Sequence, residues 1–164
     1  MRGRIDAESV LRTAGCDEKV IAHCRAVCRL AGKYSKHNFI DAELVSVGAM
    51  LHDVGRAWSH GMEHAQVGAD YLRKIGIPEE VALIVERHIG AGMTAEECLE
   101  QELSPRECIP KSIEEKIVAH ADNLVKGTKE ITLSERLRRS SGLPEKILIR
   151  MKKLAEEIEP LRKE

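Results

Sequence analysis

Apolar residues recur three and four positions apart along nearly the whole of this chain. That period is helical, and strict alternation over a strand length is hard to find. Cap residues divide the pattern into segments. Asp6 starts a first helix that ends near Gly15, Asp17 a second that runs to about Gly32, and Asp41 a third that breaks at Gly55. A fourth covers about Glu63 to Ile75 and stops at Gly76. Pro78 fits the first turn of a fifth, which runs to about Ile89. Thr94 caps a short helix to Gln101, and the stretch 103–111, with Pro105 and Pro110, is a loop. Ser112 opens a sixth main helix through Lys126, with Glu115 at the capping-box position. Thr132 caps a short piece to Ser140, and Pro144 opens a charged C-terminal helix to about Glu159. The expected architecture is all-α, in one domain over residues 1–164.

Length and charge narrow the function classes. A chain of 164 residues suits one buried core. No apolar run approaches the roughly 20 residues of a membrane span. The first ten residues lack the apolar stretch of a secretory signal. The expected compartment is therefore the cytoplasm, with no membrane partner. Lys and Arg number 26 against 27 Asp and Glu, which argues against a general grip on nucleic acid. Aromatics are confined to Tyr34, Phe39, Trp58 and Tyr71, too few for a base-stacking platform. The five cysteines are odd in number and include no C-x-x-C pair, as expected of reduced thiols. Cys24 and Cys28, four apart on one face, are read as small core residues. Arg136, Arg138, Arg139, Lys146, Arg150, Lys152 and Lys153 are interleaved with glutamates and read as one solvated amphipathic face.

The informative residues are polar ones on apolar stripes. His23 lies between Val20 and Val27, His52 follows Val45 and Ala49, and His64 precedes Val67 and Tyr71. His88 follows Val81, Ile84 and Val85, while Asp122 sits between Val118 and Val125. Each of five helices thus points one polar group inward. A single inward histidine is usually a satisfied core residue. An unpaired inward carboxylate costs several kcal/mol, so several such groups facing one core need a common solution. A metal centre supplies it, and mixed nitrogen and oxygen donors favour Fe, Mn, Zn, Ni or Co.

His52-Asp53, within Met50-Leu51-His52-Asp53-Val54-Gly55-Arg56, resembles the HD/HDIG signature of the HD-domain metal-dependent phosphohydrolase superfamily. The order His23, His52-Asp53, Asp122 resembles that superfamily's ligand set. His64-Ala65-Gln66-Val67-Gly68-Ala69 is similar to the segment that follows the doublet, and Ala121-Asp122-Asn123-Leu124 to the usual ending. The resemblance covers roughly residues 17–128, with residues 132–163 as a charged helical extension. It implies a bundle of five or more helices around the metal. His23, His52, Asp53 and Asp122 would hold a first ion, and His64 and His88 a second, with Asp53 bridging. The cofactor it implies is a pair of divalent transition-metal ions, Fe or Mn favoured. Arg87-His88 replaces the adjacent histidines of some dinuclear phosphodiesterases of the superfamily, and the GYP-type extension is missing. Both departures weigh against hydrolysis of cyclic dinucleotides.

The activity implied is hydrolysis of a nucleotide or similar small phosphoester by a metal-activated water. Asp53 is the expected catalytic residue. Arg56, His60 and Lys126 are the candidates for substrate contact: Arg56 just past the doublet, His60 in the loop between ligand-bearing segments, Lys126 one turn beyond Asp122. Two alternatives carry the same residues: a mixed-valence di-iron oxygenase of the same superfamily, and a non-catalytic ligand- or metal-binding module. His120, two before Asp122, is expected to be structural or a neighbour of the ligands, and His37 to lie at the surface.

Overall fold

The computed structural model describes residues 3–164. It contains α1 (Ala7–Ala14), α2 (Glu18–Tyr34), α3 (Ala42–Leu51), α4 (His64–Lys74), α5 (Glu79–Glu86), α6 (Ala95–Glu100), α7 (Ile113–Asn123), α8 (Leu133–Arg139) and α9 (Glu145–Ile158). The only sheet among the described residues is a hairpin of β1 (Val125–Lys126) and β2 (Lys129–Glu130). No helix among them is long and apolar enough to cross a membrane.

The caps form where the side chains allow them. Asp6, Asp17, Asp41, Thr94, Ser112 and Thr132 each accept a hydrogen bond from the backbone N–H three residues on. Each satisfies a donor that the first helical turn leaves open. The capping box expected at Ser112 is only half made. Glu115 accepts instead from the Lys111 N–H at 2.8 Å and pairs with Arg87. A complete box stands at Thr94 and Glu97.

Three helix ends differ from expectation. The third helix stops at Leu51, and a 3-10 turn, Val54–Ala57, follows the His52-Asp53 pair. The fifth begins at Glu79, with Pro78 as its cap, and stops at Glu86 rather than Ile89. The sixth main helix, α7, stops at Asn123 rather than Lys126. Val125 pairs with Glu130 and Lys126 with Lys129, leaving Gly127 and Thr128 as a two-residue turn. Gly127 has φ +61° there, and Thr128 keeps an ordinary negative φ. Glycine at the first central position suits a tight hairpin turn, so strand pairing takes over where the helical period would have continued.

Two apolar clusters surround the centre of the bundle. One gathers Val27, Leu30 and Tyr34 of α2 with Ile117 and Val118 of α7 and Met151, Leu154 and Ile158 of α9. The other gathers Leu11, Ile21, Leu51, Leu72 and Val85. Helices α2, α3 and α5 contribute to both. Fully burying each such side chain contributes on the order of 1.5–3 kcal/mol. Leu143, just before α9, and Ile149 within it are exposed.

One close approach sets the height of the site. The 3-10 turn lies against the start of α4 at Gly55 and Gly68. A Cβ on Gly55 would stand 1.9 Å from the His64 carbonyl oxygen. Only glycine permits this contact, which seats Asp53 beside His64.

Candidate metal centre

Six side chains meet between α2, α3, α4, α5 and α7: His23, His52, Asp53, His64, His88 and Asp122. The Asp53 carboxylate divides them. Its Oδ2 lies 3.6 Å from His23 Nε2 and 3.5 Å from His52 Nε2. Its Oδ1 lies 3.0 Å from His64 Nε2 and 3.3 Å from His88 Nε2. Asp122 Oδ1 completes the first side, 3.0 Å from His23 Nε2 and 3.2 Å from His52 Nε2. The two halves are joined through one carboxylate.

The backbone sets which ring nitrogen faces inward. The Nδ1 of His52 donates to Ala49 O at 2.7 Å, that of His64 to Gly61 O at 2.7 Å, and that of His88 to Val85 O at 2.6 Å. His23 Nδ1 donates to Gly127 O at 2.7 Å. A carbonyl can only accept, so each neutral imidazole carries its proton on Nδ1 and turns a lone pair inward on Nε2. Two of these carbonyls, Ala49 and Val85, come from the preceding helical turn, and Gly61 lies in the loop just before α4. The fourth comes from Gly127, at the tip of the hairpin that replaces the expected last turn of the helix.

The donor set fits a cation. His52 Nε2 is buried and has no hydrogen-bond partner. As a lone pair it faces Asp53 and Asp122 oxygens at 3.5 and 3.2 Å, an arrangement that is repulsive unless a positive charge lies between. Two groups draw their donor atoms within 4.8 Å of one another: His23, His52 and Asp122, and His52, Asp53 and His88. Imidazole and carboxylate donors together suit a divalent transition metal.

Without a cation, protons would have to fill this role. Burial disfavours a charged His52, yet the Asp53 and Asp122 carboxylates outweigh it and hold its pKa well above the ordinary value. Burial would raise Asp53, but the His52 charge and donation from His64 and His88 keep it well below the usual carboxylate range. Asp122 is lowered in the same way, against its burial, by His52 and His23. Burial depresses His88.

The candidates for substrate contact fare differently. Arg56 Nε lies 3.9 Å from Asp53 Oδ1, and its Nη1 donates to the His60 carbonyl, so it borders the cluster. The His60 side chain is exposed beside it. Lys126 is exposed on β1, so the helical route expected to carry it past Asp122 does not exist. His120 is buried away from the cluster, 2.7 Å from Glu159 and edge-on to Tyr34. His37 is part-buried and reaches the Leu161 carbonyl at 2.8 Å. Two holding contacts escaped the sequence reading. Asn123 Nδ2 donates to Gly90 O at 2.9 Å, tying the residue after Asp122 to the segment after His88. Arg106 joins the 103–111 loop to Asp70 and Glu86 at 2.8 Å each. The sequence marked Gly127 only by its place between β-branched, lysine-flanked pairs.

An HD-domain family model matches residues 20–127. The chain belongs to the HD-domain family. It is 48% identical over 134 residues to an uncharacterized protein of Methanocaldococcus jannaschii, covering 79% of each chain. It is also 46% identical over 121 residues to a tRNA (cytidine(56)-2'-O)-methyltransferase of Thermoplasma volcanium, covering 74% of this chain but 36% of that one. The chain thus spans about a third of that relative's length. A solved structure, the HD domain of the L. monocytogenes phosphodiesterase PgpH in complex with cyclic-di-AMP, shares the fold. Its TM-score is 0.59 at 15% identity, over 93% of this chain and 96% of that one.

Proposed function

We propose that this chain is a metal-dependent phosphohydrolase that cleaves a nucleotide or similar small phosphoester with a metal-activated water. The observation that carries it is the division of Asp53, one carboxylate oxygen toward His23 and His52 and the other toward His64 and His88. His23, His52, Asp53 and Asp122 would hold one ion, and Asp53, His64 and His88 a second. Divalent metal lowers the pKa of bound water and offsets charge on a phosphoryl oxygen.

The chain's own groups do the rest. The Nδ1 donations to Ala49, Gly61, Val85 and Gly127 stop the imidazoles from rotating, which keeps four lone pairs convergent before substrate arrives. Arg56, at the rim beside Asp53, is placed to donate hydrogen bonds to a phosphoryl oxygen and offset its charge. His60, exposed on the same loop, is the candidate to hand a proton to the leaving oxygen. Lys126, exposed on β1 one residue before Gly127, remains a candidate for substrate contact, carried by the hairpin rather than by a helix. The tRNA-methyltransferase relatives, and ribonuclease Y of Acidothermus cellulolyticus at 40% identity over 73 residues, support starting the substrate search with ribonucleotide phosphodiesters.

The test is elemental analysis of protein purified without added metal, followed by hydrolysis of bis(p-nitrophenyl) phosphate with iron or manganese. The expected result is about two ions per chain and turnover, both absent from Asp53→Ala. No ion after incubation with metal, or no Asp53-dependent turnover, would sink the proposal.

A further inference from the structure

A cavity is lined by residues that neighbour two of the candidate ligands, His64 and His88, in the chain. It has a volume of about 120 Å³, the scale of one heterocyclic ring system rather than a whole nucleotide. Its walls include Met62, Ile89, Met93, Leu143 and Met151. Chain connectivity places it near the cluster. Met62 is two residues before His64, so their Cα atoms are within about 7.6 Å. Ile89 directly follows His88, and Gly90, also in the lining, is held by Asn123 at 2.9 Å. Thioether side chains adapt to flat apolar surfaces and contact ring edges well.

Arg136 of α8 gives this apolar cavity a polar end. Its Nε is buried without a hydrogen-bond partner, and its guanidinium makes no ion pair among the described residues. The other arginines of α8 are engaged: Arg138 and Arg139 reach Glu135 at 3.9 and 2.9 Å. Glu97, the buried carboxylate of the lining, is taken by Arg150 at 2.9 Å and Lys146 at 3.7 Å. A buried donor without an acceptor is unfavourable, and a ligand acceptor would satisfy it. The sequence reading had put Arg136 on a solvated face, so its position here is a departure with a chemical consequence.

We propose that this cavity receives the base of the nucleotide and that Arg136 donates to acceptors on its edge. Guanine, with adjacent O6 and N7, matches the guanidinium fork best. The cavity would then be what separates a nucleotide from other small phosphoesters. This rests on the phosphohydrolase reading for the group at the metal end of the ligand.

The test is calorimetric titration of the metal-loaded full chain with GMP and with ribose 5-phosphate, which lacks the base. Wild type, Arg136→Ala and Arg136→Lys are compared, with metal content measured on each. Wild type should bind GMP at least about tenfold more tightly than ribose 5-phosphate. Arg136→Ala should nearly close that gap with metal content unchanged, and Arg136→Lys should restore it only in part, because an ammonium lacks the fork. Equal binding of the two ligands by wild type, or a gap that survives in Arg136→Ala, overturns the proposal. If wild type hydrolyses bis(p-nitrophenyl) phosphate yet shows no gap, the base cavity falls and the phosphohydrolase stands. If hydrolysis is absent but the gap depends on Arg136, the reverse holds.

Discussion

Replacing Gly55 by alanine should separate the two halves of the metal centre. The added Cβ would lie 1.9 Å from the His64 carbonyl oxygen, about 1.5 Å inside ordinary contact, and 3.0 Å from Gly68 N. Neither obstacle is a flexible side-chain end, so the 3-10 turn and the start of α4 must move apart. Asp53 directly precedes that turn, and His64 begins α4. Their facing atoms are 3.0 Å apart. Metal–ligand distances tolerate only about 0.2 Å. A shift on the order of 1 Å therefore removes the second ion. His23, His52 and Asp122 stand on α2, at the C-cap of α3, and on α7, and should retain the first. Overpacking of this kind costs about 1–3 kcal/mol, roughly 2–12 °C in melting temperature for a chain of this size. The assay is metal content per chain together with thermal unfolding followed by circular dichroism. Gly32→Ala is the control, since its Cβ would meet nothing within 4 Å. It should keep both ions and gain up to about 1 kcal/mol. Two ions per chain and an unchanged melting temperature in Gly55→Ala would refute the argument.

Other outcomes follow from particular contacts. His88→Ala should leave about one ion per chain, and retention of two would refute the dinuclear assignment. Arg56→Ala should keep its metal while KM for bis(p-nitrophenyl) phosphate rises; a loss of metal instead would make Arg56 a support of Asp53. Glu97 is partly destabilised by burial, but Arg150 and the Thr94 cap hold its pKa down to about 2. Since this lies below its unfolded value, its contribution is complete above pH about 4.5 and is lost as pH falls toward 2. Glu97→Gln should therefore melt lower at pH 7, and its deficit against wild type should shrink between pH 4.5 and 2; a deficit independent of pH would exclude the ion pair as its source.

The sequence carried most of the architecture because helices are local. Caps such as Asp17, Asp41 and Ser112 act within three residues, and the apolar stripes of α2, α3, α5 and α7 show which faces turn inward. The same stripes exposed five of the six polar residues, since an imidazole or carboxylate at a buried position is conspicuous in the pattern; Asp53 came only with the resemblance of His52-Asp53 to the HD signature. Tertiary structure decided what depends on contacts between distant segments. Gly127 is 104 residues from His23, so no local signal could join its carbonyl to the ring. The hairpin that presents it also ended α7 early and left Lys126 exposed. Arg136 is indistinguishable in sequence from its neighbours on α8, and only the packing of α8 and α9 beside the segments before His64 and after His88 leaves its guanidinium unpaired in a cavity. Periodicity specifies a face; which carbonyl, cation or cavity lies opposite that face is settled only when the helices pack.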